Sequence, residues 1–167
     1  MATLSVLKFE TPDGAEHALT TIKDLARQHL INLIDAAVVT WPTGKKKPKT
    51  RQLQNIAAAG ALGGAFWGML IGTLFFGPLL GIALGAAMGA LAGSLRDAGI
   101  SDNFIRECRD KITEGTSALF LMTTAAVQDR VIEAMKQHKF EIVTTNLSRE
   151  QEDALREAFQ EDEASAA

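Results

Sequence analysis

The sequence predicts an α+β fold: a ferredoxin-like sandwich, with a four-stranded antiparallel sheet and helices, carrying an inserted hydrophobic glycine-zipper helical hairpin. Three observations predict it. Strand–helix–strand patterns of about 35–40 residues occupy both ends of the chain, the spacing of split βαβ units. Between them, 44 residues from Gln52 to Leu95 contain no Asp, Glu, Lys, Arg or His. Glycine recurs through that run at Gly60, Gly64, Gly68, Gly72, Gly77, Gly81, Gly85, Gly89 and Gly93, in steps of four except across Gly77-Pro78.

The elements follow in order. Leu4–Phe9 alternates and is rich in strand formers, so it reads as a strand. Thr11-Pro-Asp-Gly14 has turn chemistry. Ala15–Gln28 places Ala18, Leu19, Ile22, Leu25 and Ala26 at helical spacing. Ile31–Trp41 is a second strand, ended by Pro42, and Thr43–Thr50 reads as a polar basic loop. The uncharged run then divides at Gly77-Pro78 into two helices, Ile56–Phe76 and Pro78–Leu95. Beyond it, Ser101 is an N-cap for a helix with Phe104, Ile105, Cys108 and Ile112 on one face. Gly115 punctuates, and Ser117–Met122 has the continuous apolar character of a buried strand. Ala125–His138 is a helix with Val127, Val131, Ala134 and Met135 inward, and Phe140–Thr145 is the fourth strand. Ser148-Arg-Glu-Gln151 has the capping-box pattern and opens a C-terminal helix carrying Leu155 and Phe159. Residues 161–167 read as a fraying acidic tail.

In this reading residues 1–51 and 96–167 form one domain, and 52–95 are an inserted transmembrane-type hairpin. The run is about twice the ~20 residues a helix needs to cross a bilayer. A hairpin that crosses twice returns the chain to its starting side, so both halves of the sandwich, and both termini, are expected in the cytoplasm. Right-handed crossovers would put the two sandwich helices on one face of the sheet.

The glycine ladder explains what the run does physically. Successive glycines four apart drift only about 40° around a helix and form a narrow groove. Each costs about 1 kcal/mol relative to alanine in a helix interior. Close backbone approach with van der Waals packing is the compensation, as in membrane helix pairs. Both helices carry a full ladder, whereas one intramolecular seam needs one ladder per helix, so homo-oligomer formation is expected. Phe66, Trp67, Met69, Leu70, Ile71, Leu74, Phe75 and Phe76 would then face lipid or a partner.

The net charge of −3 is unevenly spread. A basic cluster, Lys45, Lys46, Lys47, Lys49 and Arg51, stands just before the run. Such residues favour the cytoplasmic side and attract anionic headgroups. The acidic balance and the lack of a nucleic-acid-binding motif speak against nucleic acid as a partner. The single cysteine, Cys108, cannot close an internal disulfide. Its position on an apolar helix face makes it a core residue rather than a reactive thiol. No signal peptide is expected at the N-terminus.

Enzymatic chemistry finds no support. His17, His29 and His138 lie apart, without a second ligand at metal spacing. No phosphate loop, nucleophile elbow or dinucleotide fingerprint is present. Asp97, Asp102, Asp110 and Glu114 cluster in sequence without a pattern that specifies a metal. No catalytic residue, cofactor or metal is expected. The run holds no ionisable residue for a proton relay or gating charge, which weighs against active transport.

Leu4–Phe9 followed by Thr11-Pro-Asp-Gly-Ala15, Asp35-Ala-Ala-Val-Val-Thr-Trp41, Lys45–Arg51 and the glycine-rich run together resemble a bacterial family of predicted membrane proteins, domain-of-unknown-function family 1269. Gly115–Phe120 and Thr145–Ser148 fit it too. The resemblance covers nearly the whole chain and implies a bacterial or archaeal integral-membrane protein. It transfers no catalytic residue. The expected function is therefore a self-assembling, membrane-associated structural protein. The alternatives are a membrane-anchored regulatory or sensory module whose α+β domain binds a small ligand or protein, and a soluble homo-oligomer that buries the hairpins.

Overall fold

The computed structural model describes residues 2–52, 67, 70–75, 100–124, 133–136, 138–147 and 150. Within them the fold is mixed α+β, built on a five-stranded antiparallel sheet. In chain order the elements are β1 (Ala2–Phe9), α1 (Gly14–Arg27), β2 (Asn32–Thr40), β3 (Lys49–Gln52), α2 (Asp102–Lys111), β4 (Ser117–Thr124) and β5 (Phe140–Leu147). The sheet order is β3-β2-β4-β1-β5. β1 and β2 are therefore parallel to each other with β4 between them, and β4 and β5 have β1 between them.

The four strands expected from the sequence are all present, slightly longer or shorter at their ends. The fifth is a correction. Lys49–Gln52, placed in or just after a basic loop, pairs with Ala37–Thr40 of β2 as an edge strand. Four residues with two basic side chains after a proline carry little strand signal of their own. What makes them a strand is the free edge that β2 offers them.

The sheet is covered on both faces. Phe9, Leu19, Ile22, Leu119, Leu121 and Met135 share one core with the rest of the inner side of α1. Met135 belongs to the segment 133–136, so the second crossover meets the same face as α1 at that residue. The other core holds Val6, Val39, Phe120 and Met122 from the strands, Phe104, Ile105 and Cys108 from α2, and Trp67, Leu70, Ile71 and Leu74. This too is a correction. Those last four side chains, expected to face lipid or a partner, are buried within the domain. The central strand explains why. β4 is apolar on both faces, so neither face can be left to water.

Two local ties set the position of α1. The side chain of Asp13 makes no cap hydrogen bond. Instead Ser117, the first residue of β4 and fully buried, accepts from the Ala15 N–H at 2.9 Å and donates to the Thr11 carbonyl at 2.7 Å. Gly14 makes this approach possible, since a Cβ there would lie 2.6 Å from the Phe9 Cβ. At the other end His29 takes φ +57. Its N–H meets the Ala26 carbonyl while the Leu30 N–H reaches back to Leu25, the paired bonds of a Schellman close.

α2 begins as expected, with Ser101 accepting from the Phe104 N–H at 3.2 Å. Cys108 is 1% exposed on its inner face. Burial, followed by the neighbouring Glu107 charge, pushes its thiol up to about 12 from 9.0, with Lys111 opposing. Because the folded value is raised, this group's contribution to stability is complete below pH ~9 and is lost as pH rises towards 12. The expected slope is about 1.4 kcal/mol per pH unit within that window. Denaturation midpoints of the wild type and Cys108→Ala, measured from pH 8 to 11, should converge as pH rises. Parallel curves would show that the thiol does not titrate on unfolding. In the native state at pH 8, maleimide should leave Cys108 unmodified.

Candidate functional site

Three of the basic residues, Lys45, Lys46 and Lys47, follow Trp41 at one end of the sheet. After β2, Trp41 is held by its backbone. Its N–H donates to the Thr116 carbonyl at 3.0 Å, and its carbonyl accepts from Gly115 at 2.7 Å. Gly115 sits at φ +85, a conformation that favours glycine, and so brings the turn before β4 alongside Trp41. The Trp41 indole N–H donates to the Lys45 carbonyl at 2.8 Å and folds the basic loop back onto the ring. The Gly44 N–H donates to the Glu114 carboxylate from the same turn. Lys45, Lys46 and Lys47 are exposed on this pinned loop.

The end of the helical segment 70–75 reaches the same corner. Phe75 meets Trp41 edge to face, with ring centroids 5.7 Å apart at 90°. Both rings are partly buried against the core and partly exposed. Arg109 of α2 fastens the segment: its Nε donates to the Leu74 carbonyl at 2.7 Å and a terminal nitrogen donates to Thr73 at 2.8 Å. Hydrogen bonds from a charged donor to these carbonyls are stronger than neutral ones. Beneath, Trp67 packs on Phe120 of β4, with centroids 6.3 Å apart at 75°.

The basic cluster is divided between two elements. Lys45, Lys46 and Lys47 lie on the loop, while Lys49 and Arg51 lie on β3. Arg51 is committed elsewhere: one terminal nitrogen lies 2.6 Å from both carboxylate oxygens of Glu16 on α1. Both partners are about half exposed, so the pair contributes at most about 1 kcal/mol. Its clearer consequence is to tie β3 to α1.

Of the nine ladder glycines only Gly72 is among the described residues, and it is buried. Leu70, Ile71 and Leu74 share the side of the helical segment that joins the sheet core. At about 100° per residue, Gly72 stands roughly 150° around from the centre of that side. The backbone at Gly72 is thus covered although it faces away from the sheet. Gly60, Gly64, Gly68, Gly77, Gly81, Gly85, Gly89 and Gly93 lie outside the described residues. So do all of Pro78–Leu95, the residues of Ile56–Phe76 other than 67 and 70–75, and, apart from Glu150, the C-terminal helix and tail. Among the described residues no helix is long and apolar enough to cross a membrane.

Of the four acidic residues grouped by the sequence, Asp97 lies outside the described residues, Asp102 opens α2, Asp110 lies near its end, and Glu114 is in the turn beyond. His17 is exposed, and its Nε2 lies 4.0 Å from Asp13. His138 lies beside Phe9, ring centroids 6.3 Å apart. Among the described residues no three His, Cys, Asp or Glu side chains gather as metal ligands. The two roles that sequence reasoning missed belong to Arg109 and Ser117. Arg109 acts on a carbonyl 35 residues away, and Ser117 on an N–H 102 residues away, so no local pattern announces either.

Replacing Arg109 by Gln should loosen the segment without unfolding the sheet. The expected result is a loss of about 1–2 kcal/mol of local stability. Amide exchange at residues 70–75 should accelerate roughly tenfold or more while β4 stays protected. Equal acceleration in both places would mean that Arg109 supports the fold as a whole.

No curated protein and no solved structure matches this chain. A family model described as "Protein of unknown function (DUF1269)" matches residues 61–160, more than half of the sequence, from within the glycine-rich run to beyond β5. That description names neither a membrane nor a glycine zipper. With the match reaching through α2, β4 and β5, the chain belongs to the DUF1269 family.

Proposed function

We propose that this protein is a self-assembling, membrane-associated structural protein, in which a ferredoxin-like domain presents a basic and aromatic corner to anionic lipid while the glycine ladder packs copies together. The strand order β2-β4-β1-β5, with α1 and Met135 on one face, supports the ferredoxin-like description. The observation that carries the membrane reading is the corner itself. Trp41 and Phe75 meet beside the exposed Lys45, Lys46 and Lys47, at the point where the uncharged run continues past residue 75. Half-buried aromatic rings next to lysines suit the headgroup region, where one side of a ring is apolar and the other wet. Each lysine near an anionic surface contributes about 1 kcal/mol at physiological salt. On this reading the corner rests on the cytoplasmic leaflet. The assembly part rests on the glycine ladder, which both halves of the uncharged run carry.

A second reading has an observation of its own. Trp67, Leu70, Ile71 and Leu74 lie in the domain core, so this part of the run is withdrawn from lipid. A soluble homo-oligomer that buries the remaining apolar residues between copies accommodates this directly.

The readings separate in cells and in vitro. If the protein is membrane-associated, it should sediment with vesicles containing phosphatidylserine and not with neutral vesicles. Replacing Lys45, Lys46 and Lys47 by Glu should abolish that binding. Equal binding by the variant would remove the corner from the mechanism. Carbonate extraction of native membranes should retain the protein if the run is inserted, whereas release would favour the soluble assembly. Gly64→Leu with Gly85→Leu should reduce particle size in mild detergent. An unchanged size would take assembly away from the ladder.

A further inference from the structure

The sheet has two edges of very different character. β3 is four residues long, follows Pro48 and carries Lys49 and Arg51. Proline and exposed basic side chains protect an edge from pairing. At the other edge β5 has eight residues, Phe140–Leu147. It includes the β-branched run Ile142-Val143-Thr144-Thr145, has no proline or glycine, and carries one charge, Glu141. Among the described residues no strand pairs with its outer side. An edge of this length and composition is a template for another strand.

The position of Glu141 narrows the choice of partner. It lies across from Lys8 in the sheet register, with its carboxylate 3.7 Å from Lys8 and 3.7 Å from Lys111 of α2. The charge is compensated within the chain and asks for no cation from outside. A two-fold axis perpendicular to the sheet pairs residues of like parity, because paired side chains must share a face. Centred on Thr144, such a register joins seven residues of each strand. It sets Glu141 opposite Leu147, never opposite itself. β5 is therefore compatible with its own copy, with no like charges opposed.

We infer that β5 is an assembly surface for a second copy of this chain, extending two five-stranded sheets into one antiparallel sheet of ten. This surface lies on the sheet rather than on the glycine ladder, so it goes beyond the function proposed above and does not depend on it.

The test uses the full chain in the Gly64→Leu, Gly85→Leu background, where ladder assembly is impaired. A dimer should persist by analytical ultracentrifugation. Adding Thr144→Lys places like charges on the two-fold and should raise the dimer dissociation constant at least about tenfold. In parallel, Thr144→Cys in the same background should form a covalent dimer on mild oxidation, since Cys108 is buried. Amide protection over residues 140–147 should rise with protein concentration. A monomer in the ladder background with no such rise overturns the inference and leaves the ladder reading intact. A dimer unaffected by Thr144→Lys and not crosslinked through residue 144 also overturns it. Circular dichroism confirms that each variant is folded before its mass is read.

Discussion

Everything in this fold answers to one constraint: the central strand β4 cannot be wetted on either face. Ala118, Phe120 and Met122 point into one core, and Leu119 and Leu121 into the other. An antiparallel sheet commonly leaves one face to solvent and alternates accordingly. Here alternation is lost, and two covers are required. α1 supplies one. The other is assembled from α2 and a stretch of the uncharged run. Lifting Trp67, Leu70, Ile71 and Leu74 off the sheet into water would cost on the order of 6–12 kcal/mol, comparable to the whole stability of a domain this size. The apolar run is thus part of what keeps the sheet folded.

This changes the meaning of the run. Its composition speaks of lipid, and its glycine rhythm speaks of helix packing. The structure adds a protein surface to the list of what it packs against. The same helical segment turns bulky residues to the sheet and Gly72 away from it. Arg109 completes the arrangement by donating to the carbonyls of Thr73 and Leu74.

Much of the fold was legible because its signals are local. Period-two alternation in β1, the apolar run of β4, the spacing of Ala18, Leu19 and Ile22, and the Ser101 cap each fit within a few residues. What escaped depends on neighbours distant in sequence. β3 is a strand only because β2 has an edge to offer. Ser117 caps a helix from across the sheet. Trp67 and Leu70 carry the same hydrophobic signal whether they face lipid or a sheet, and periodicity cannot tell these apart. At the candidate site, the lysines were evident from composition. The partners that shape it were not: Phe75 reaches Trp41 only after the chain has turned back onto the sheet, and Glu16 meets Arg51 across 35 residues.

The pinned ring at the corner has an optical consequence. The chain holds two tryptophans and no tyrosine. Trp67 is 3% exposed beneath the helical segment, whereas Trp41 is half-buried with its indole N–H already engaged by Lys45. An indole responds to the polarity and relaxation of its surroundings, and these two surroundings differ. The protein therefore carries one intrinsic chromophore that reports on its core and another that reports on its outward corner. Light emitted by the unlabelled molecule holds separable information about the state of each.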